Sequence, residues 1–326
     1  MTAAVVASTP SARTGIRPVD PRRDMADLAG LIESAFSERI DASGRRMITG
    51  MKMFARAGQL GWLLGRWFLP PAAYPQGFVW EVDGIVVGNA SLLPVRGFHD
   101  RWVIANVVVK PEYQRQGIAR ELVIASVDLA RRSGGRWVML QVDRDNRGAR
   151  TLYENLSFET LTTRTTWVRK GKGTELPSIG DEQARPRRNN EWREEWALAK
   201  RLYPEGMLWP FPTVASMFRP SGFESLLGLG IPNHWVLPQD GRLIAALSIR
   251  SEMEKRLWRL MMVVEPEWHG RVEDSLLMAA MKGSSILADN IILEYPSDVA
   301  REIIAELGFK ATRELTWMGK TLKALS

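Results

Sequence analysis

The hydrophobic and polar positions along this chain follow two periods, one typical of helices and one typical of strands. Apolar residues at helical spacing predict a helix over about 21–36 and a second helical region over roughly 43–68. Asp83-Gly84 then lies between two apolar runs, and this dipeptide is the strongest short signal for a hairpin. The first third of the chain therefore predicts helices followed by an antiparallel pair of strands.

The middle of the chain alternates predicted strands and helices. Strands are predicted over 102–109, 137–142 and 158–169, with a helix between each pair. The inward face of the first of these helices is predicted to consist of Ile118, Leu122, Ala125 and Leu129. With a short strand at 15–18, this order predicts an α/β (α+β) fold in which a mixed, mostly antiparallel sheet has helices on both faces.

The second half of the chain repeats the pattern of the first. Four pairs of segments correspond: Asp83-Gly84 with Asp240-Gly241, 108–113 with 263–268, 154–158 with 305–309, and Trp167 with Trp317. Because all four pairs occur in the same order, the sequence predicts two tandem copies of one fold.

Changes in composition predict where the domains begin and end. The segment 170–190 holds glycine, proline and charge but few apolar residues, which is typical of a linker. The predicted division is a flexible tail over 1–14, a first domain over 15–169, a linker over 170–190 and a second domain over 191–326.

The composition excludes several kinds of site. The chain has no cysteine, which rules out disulfides, thiolate metal ligands and a cysteine nucleophile, and its three histidines lie far apart, so we expect no metal site. The longest apolar run is interrupted well short of the roughly 20 residues that span a bilayer. The first residues lack the basic start and apolar run of a signal peptide. We therefore expect a cytoplasmic protein with no membrane partner.

The positive charge suits a polyanionic ligand but does not define one. The net charge is +7 and the pI is about 9.8, with basic residues scattered along the chain. One short cluster, Arg185, Arg187 and Arg188, falls in the predicted linker, and we interpret it as a solvated run. No aromatic stripe accompanies it, so a nucleic-acid partner is not expected.

The first candidate site is the turn that follows the predicted strand 102–109. The run from Gln114 to Ala119 opens a helix, whose first N–H groups lack intrahelical partners and carry the positive end of the helix dipole. Such a turn can bind phosphate, and Gly117 would let a phosphate approach the backbone closely. Arg115 and Arg120 add positive charge. The same pattern also occurs as plain architecture.

The second candidate site lies on the next helix, from Asn146 to Phe158. Asn146 occupies the position of a helix cap or polar anchor. Tyr153 has two interpretations: a core residue, or a general acid if its hydroxyl faces a leaving group.

Together these two runs resemble the GNAT acetyltransferase superfamily. The motif Gln114-x-x-Gly117-x-Ala119 follows a strand that ends Val107-Val108-Val109, and Asn146-x-x-Ala149-x-x-Leu152-Tyr153 follows the next strand. Ser157 and Ala119 replace residues that are more often glycine in the family. The resemblance implies that acetyl-CoA is held by Val107, Val108, Val109, Gln114, Arg115, Gln116, Gly117, Ile118, Ala119, Arg120 and Asn146. It also implies that Tyr153 protonates the departing thiolate, and that the N–H near Val109 polarises the thioester carbonyl.

The resemblance implies direct transfer of an acetyl group from acetyl-CoA to a primary amine of a small molecule or peptide, with no metal. The amine must lose a proton, and the candidate bases are Glu33, Glu38, Glu81 and Asp100, with Asn106 as an orienting group. An alternative is a non-catalytic protein that senses acyl-CoA. A third possibility is acylation of a macromolecule such as a ribosomal protein or aminoacyl-RNA. The acceptor, the base and the oligomeric state stay open.

The second copy lacks the residues that define the site. His269 to Asp274 stands where the first copy has Gln114 to Ala119, and two carboxylates near the helix start would repel a pyrophosphate. Ile304 stands where the first copy has Tyr153. We expect no catalysis in the second copy.

Overall fold

The computed structural model describes residues 14–36, 45, 48–57, 76–171, 184–203, 206–208, 211–212, 214–220, 233–251, 257–284 and 286–323. The chain forms two compact units. Unit 1 comprises Met1–Gln141, Gly148–Glu159 and Met318–Ser326, and unit 2 comprises Val142–Arg147 and Thr160–Trp317. The mixed α/β fold that the sequence predicts is confirmed.

Unit 1 is built on a sheet in which consecutive strands are neighbours. Its strands are β1 (Gly15–Pro18), β2 (Gln76–Val82), β3 (Ile85–Pro94), β4 (Arg101–Val109) and β5 (Trp137–Asp143). The first four pair antiparallel in chain order, and β5 pairs parallel with β4. The predicted hairpin joins β2 to β3: Asp83 and Gly84 have φ of 51° and 82°, the two positive values that a type I′ turn requires.

Three helices of unit 1 have described bounds: α1 (Met25–Phe36), α2 (Ile118–Arg132) and α3 (Arg147–Asn155). Helix α1 begins at Met25 and not at residue 21, because its first backbone bond is donated by Leu28 N–H to the Asp24 carbonyl at 2.8 Å. Of the predicted helical region 43–68, residues 48–57 are helical, and 58–68 lie outside the described residues.

The buried face of α2 differs from the predicted one. Ile118 and Leu122 are buried as predicted, but Ala125 and Leu129 are only partly buried. The remaining buried positions of the helix are Val123, Ser126, Val127 and Ala130. Ser126 Oγ donates to the Leu122 carbonyl at 2.8 Å, which satisfies the hydroxyl and allows it to face the core. A polar residue therefore does not mark the solvent side of this helix.

After its first strand, and apart from two additional short strands, unit 2 follows the order of the described elements of unit 1. Its strands are β6 (Glu159–Arg169), β7 (Arg185–Pro186), β8 (Met207–Leu208), β9 (Phe211–Pro212), β10 (His234–Gln239), β11 (Arg242–Ser251), β12 (Leu257–Val264), β13 (Asn290–Pro296) and β14 (Lys310–Thr321). Its helices with described bounds are α4 (Trp192–Leu202), α5 (Glu273–Gly283) and α6 (Arg301–Glu306). As β4 pairs parallel with β5, β12 pairs parallel with β13, and a 3-10 turn precedes the helix between them in both units.

The unit boundaries differ from the predicted domain ranges at β6, at Val142–Arg147 and at Met318–Ser326. Strand β6, which the sequence placed at the end of the first domain, pairs antiparallel with β13 from Ile291↔Arg169 to Pro296↔Arg164. Its Trp167 is buried in the core of unit 2. The sequence pattern does not show whether β6 belongs to unit 1 or to unit 2. The reason is that β6 and β14 occupy equivalent places in the repeat and both carry a buried tryptophan.

Two of the three arginines in the basic cluster of the predicted linker are ion-paired. Arg187 is only 5% exposed and donates to Glu195 at 2.6 Å, and Arg185 donates to Glu191 at 2.6 Å. Arg187 is therefore a core residue of unit 2 and not part of a solvated run. Residues 172–183 lie outside the described residues. Across the described residues, no helix is long and apolar enough to cross a membrane.

Residues 318–323, at the end of β14 and just beyond it, belong to unit 1. Leu322 N–H donates to the Arg136 carbonyl at 2.8 Å, and Lys320 Nζ donates to the Leu156 carbonyl at 2.5 Å, just beyond the end of α3. A cation in that place compensates the negative end of the helix dipole. The chain terminus thus supports the helix that bears Tyr153.

Replacing Leu322 with alanine should destabilise unit 1. Leu322 is 4% exposed, and truncating a buried leucine costs about 2–4 kcal/mol. The measurement is urea unfolding, with hydrogen exchange to locate the loss, which we expect in β5 and α3. Leu93→Ala is the matched control, since Leu93 is 41% exposed. A loss of stability equal to that of the control, or confined to unit 2, contradicts the assignment of Leu322 to unit 1.

Candidate functional site

A β-bulge interrupts β4 at the centre of unit 1. Asn89 pairs with Val108 and Ser91 with Ala105, so two β4 residues, Asn106 and Val107, lie opposite a single β3 residue. Asn106 adopts φ of 53°, in the left-handed region. Bulges of this kind bend a strand and end its regular pairing.

Beyond the bulge, β4 and β5 no longer pair. Their parallel register runs from Arg101↔Trp137 to Ile104↔Leu140, whereas β4 continues to Val109. Lys110 N–H donates to the Val87 carbonyl at 2.8 Å, so by the alternation of an antiparallel ladder Val109 directs its own N–H and carbonyl away from β3. The end of β4 therefore presents backbone groups to which an extended ligand can add as a strand.

The loop after β4 leads into α2 with its N–H groups unused. Arg115 and Gly117 have positive φ of 63° and 82°, and the first backbone bond of the helix is from Glu121 N–H to the Gly117 carbonyl at 3.1 Å. Within the described parts of the chain, the N–H groups from Arg115 through Arg120 have no hydrogen-bond acceptor. Such a cluster at the positive end of a helix is suited to binding an anion.

One of the polar side chains of this loop braces it, and the others are exposed. Gln114 Nε2 donates to the Val109 carbonyl at 2.9 Å, which ties the start of the loop to the end of β4. Arg120 lies 3.1 Å from Glu121 in an exposed ion pair. This pair contributes little to the stability of the fold, because solvent screens it. Arg115 and Gln116 are exposed, so Arg115 adds positive charge beside the free N–H groups.

Tyr153 lies on α3 with its ring in the core of unit 1. It is 4% exposed, and its ring centroid is 6.0 Å from that of Phe158. Its hydroxyl makes no hydrogen bond to any described residue. Burial raises the pKa of Tyr153 to about 12, because the phenolate would lose its hydration. The hydroxyl is therefore protonated at neutral pH and available as a donor.

Asn146 lies in a turn whose residues belong to unit 2. Its N–H donates to the Asp143 carbonyl at 2.9 Å, and α3 begins at the next residue. The turn is anchored by Arg144, which contacts Glu314 at 2.7 Å, and by Asp143, which accepts from Arg313 at 2.8 Å. Two hydrogen bonds lower the pKa of the Glu314 carboxyl, the larger effect coming from Arg301 and the smaller from Arg144.

The candidate bases are in unequal environments. Glu33 is exposed and contacts Lys52 at 2.7 Å, and Asp100 is exposed with Arg101 at 3.8 Å. Glu81 is buried and accepts from both Arg17 and Arg23, so its carboxylate is already engaged. Glu38 lies outside the described residues. No group of three or more metal-ligating side chains occurs among the residues that the structure describes.

One residue important to the bulge was not predicted from the sequence. Asn89 is fully buried on β3, and its Nδ2 donates to the Asn106 carbonyl at 2.8 Å and to Ser91 Oγ at 3.2 Å. This amide holds the carbonyl of the bulged residue in place. The available signal is an asparagine within an otherwise apolar strand, since polar side chains are buried only where they make hydrogen bonds.

The comparison with protein families matches this region of the chain. Residues 52–158 match the model of the acetyltransferase (GNAT) family. The chain contains a GNAT acetyltransferase domain. The match spans β2 to α3 and so includes the bulge, the loop and Tyr153.

Two curated relatives match part of the GNAT domain. One is N-alpha-acetyltransferase 30 of Schizosaccharomyces pombe, 38% identical over 63 residues, 19% of this chain and 42% of the relative. The other is the [ribosomal protein bS18]-alanine N-acetyltransferase of Escherichia coli, 34% identical over 76 residues, 23% of this chain and 51% of the relative. The chain spans about half the length, or less, of the curated relatives it matches.

Solved structures share the fold over nearly the whole chain. A tandem GNAT protein from the clavulanic acid biosynthesis pathway aligns with a TM-score of 0.52 at 15% identity, covering 96% of this chain and 100% of the other. A GCN5-related N-acetyltransferase from Sphaerobacter thermophilus gives a TM-score of 0.57 at 15% identity, covering 95% and 96%. At this identity the likeness concerns the fold alone.

Replacing Tyr153 with phenylalanine should reduce the fall in the free energy of unfolding that occurs as the pH rises above 10. A pKa near 12 in the folded protein and 10.0 unfolded means that its contribution is complete below pH 10 and is lost as pH rises through 12. The loss is about 3 kcal/mol by the usual conversion of pKa differences. Urea unfolding from pH 9 upward should show a shallower decline for the variant. Parallel curves for the two proteins contradict the burial of this hydroxyl.

Proposed function

We propose that this protein is an acetyl-CoA-dependent N-acetyltransferase that acts on a primary amine of a small molecule or peptide. The observation that carries the proposal is the presence of two backbone sites in one domain: the end of β4, where pairing with β5 has ended, and the N–H cluster of the following loop. One suits an extended chain with amide groups, and the other suits a pyrophosphate. Acetyl-CoA has both parts in one molecule.

The loop would hold the pyrophosphate of the donor. N–H groups from Arg115 through Arg120 supply hydrogen bonds, the helix dipole supplies partial positive charge, and Arg115 adds a full charge. Gln114 shapes the loop by its bond to the Val109 carbonyl. A methyl group placed on Gly117 would have no neighbouring atom within 4 Å, so the approach to the backbone at this residue is open.

The end of β4 would hold the pantetheine arm. Backbone groups of Val107 and Val109 pair with its amides as a neighbouring strand would, while the Val108 side chain is buried in the core and fixes the strand. The Val109 N–H, directed away from β3, would polarise the thioester carbonyl.

The reaction is a direct acyl transfer. The amine nitrogen attacks the thioester carbon, a C–N bond forms, the C–S bond breaks, and the amine releases one proton. Tyr153 donates a hydrogen bond to the leaving sulfur and then supplies its proton, as its protonated state at neutral pH permits. Among the described candidate bases, the carboxylates of Glu33 and Asp100 are exposed, whereas that of Glu81 is buried and engaged by two arginines.

The names of the curated relatives support an amine of a protein or peptide as acceptor. One is named as an N-alpha-acetyltransferase and the other as an alanine N-acetyltransferase of a ribosomal protein. A panel that contains peptides with free N-termini and small primary amines separates the two acceptor classes. A protein that binds acetyl-CoA but acetylates no member of a broad panel would instead fit the sensor hypothesis.

Replacing Gly117 with alanine should weaken acetyl-CoA binding by about tenfold, or 1.4 kcal/mol. The methyl group would occupy the face of the loop that the phosphates approach. Gly134→Ala is the matched control, because Gly134 has φ of 80° against 82° for Gly117 and equally open surroundings, so both variants incur the same backbone strain. Calorimetric titration measures the affinity. Equal affinities in the two variants contradict the assignment of the loop.

Replacing Tyr153 with phenylalanine should lower kcat by a factor of about 100 or more while acetyl-CoA affinity stays unchanged. The reason is that phenylalanine keeps the packing against Phe158 but cannot donate to the sulfur. Steady-state acetylation of the best amine in the panel measures kcat, with Tyr113→Phe as the control. Unchanged turnover in Tyr153→Phe removes the hydroxyl from the mechanism without affecting the assignment of the donor site.

A further inference from the structure

Unit 2 contains a loop with the same construction as the loop of the donor site. His269 Nε2 is 3.1 Å from the Val264 carbonyl, as Gln114 Nε2 is bonded to the Val109 carbonyl in unit 1. Gly270 has a positive φ of 75°, which matches Arg115. Two positions later the loops differ: Val272 has φ of −131° where Gly117 has 82°.

The free N–H groups of this second loop are occupied by the protein itself. Gly270 N–H donates to Glu273 Oε1 at 3.0 Å, and Val272 N–H donates to Glu273 Oε2 at 3.2 Å. Glu273 is the first residue of α5, at the position of Ile118 in unit 1. Its carboxylate folds back onto the loop and spans it with both oxygens.

A third donor completes the environment of this carboxylate. Tyr295 Oη donates to Glu273 Oε1 at 2.9 Å, and both side chains are buried. Within the described residues, no arginine or lysine pairs with Glu273. A buried carboxylate without a cation is costly unless hydrogen bonds compensate it. Here two backbone donors, one hydroxyl and the positive end of α5 provide that compensation.

We propose that Glu273 is an internal ligand of the loop in unit 2, where its carboxylate occupies the place that a phosphate takes at such a helix start. The chain thereby fills its second anion site with its own side chain, through hydrogen bonds, and closes it to CoA. The sequence suggested that carboxylates here repel a pyrophosphate, whereas the hydrogen bonds assign Glu273 a positive role as the bound anion. This inference concerns unit 2 alone and does not depend on the activity proposed for unit 1.

The test uses the full chain with Glu273→Ala and a small carboxylate as probe. Removing the side chain leaves two N–H groups and the Tyr295 hydroxyl unsatisfied, so the unfolding constant should rise about tenfold or more. Formate can enter the vacated space and bind the same donors, so it should shift the urea midpoint of Glu273→Ala upward in a saturable manner. This shift should exceed that of the wild-type protein, in which the unit 2 site is filled and only the loop of unit 1 is open.

Asp274→Ala is the matched control, because Asp274 is the next carboxylate on the same helix and accepts only from Ser275 N–H, at 2.8 Å. It removes the same charge from the helix start without emptying the loop. Glu273→Gln against Asp274→Asn gives a second comparison if Glu273→Ala does not fold, and Glu273→Gln should be the less stable of the two.

Three results overturn the proposal. The first is that the Glu273 variants are no less stable than their Asp274 counterparts. The second is that formate stabilises Glu273→Ala and Asp274→Ala equally, which would mark a general salt effect. The third is that Glu273→Ala is destabilised but does not respond to formate, which would mean that Glu273 acts through packing alone.

Discussion

The start of a helix leaves backbone N–H groups that need an acceptor, and this requirement shapes both halves of the molecule. In unit 1 the N–H groups from Arg115 through Arg120 are free at the surface, beside the exposed Arg115. In unit 2 the carboxylate of Glu273 takes the equivalent groups. One loop design therefore gives an open anion site in one unit and a filled one in the other.

The open loop is useful only with the geometry of β4 before it. The bulge at Asn106 ends the pairing with β5, and the buried amide of Asn89 holds the bulged carbonyl. A regular strand would have continued the ladder to Val109 and left no room for a ligand chain. A local irregularity, fixed by one buried polar side chain, thus creates the backbone edge on which the proposed donor arm would lie.

Local features of the fold were predictable from the sequence, whereas those that depend on long-range pairing were not. Asp83-Gly84 specifies its hairpin because both residues tolerate positive φ. The placement of β6 could not be predicted from the sequence, because β6 and β14 are equivalent in the repeat and either could belong to either unit. The roles of Asn89 and Glu273 could not be predicted from the sequence either. Each depends on a residue that comes close only after folding, Asn106 for Asn89 and Tyr295 for Glu273.

The central claim is that the chain has one open anion site for acetyl-CoA and one that its own carboxylate fills. Calorimetric titration of the intact protein with acetyl-CoA tests this directly through the number of sites. The account predicts saturation at one acetyl-CoA per chain. Saturation at two would contradict the internal ligand in unit 2, and an absence of binding would contradict the donor site in unit 1.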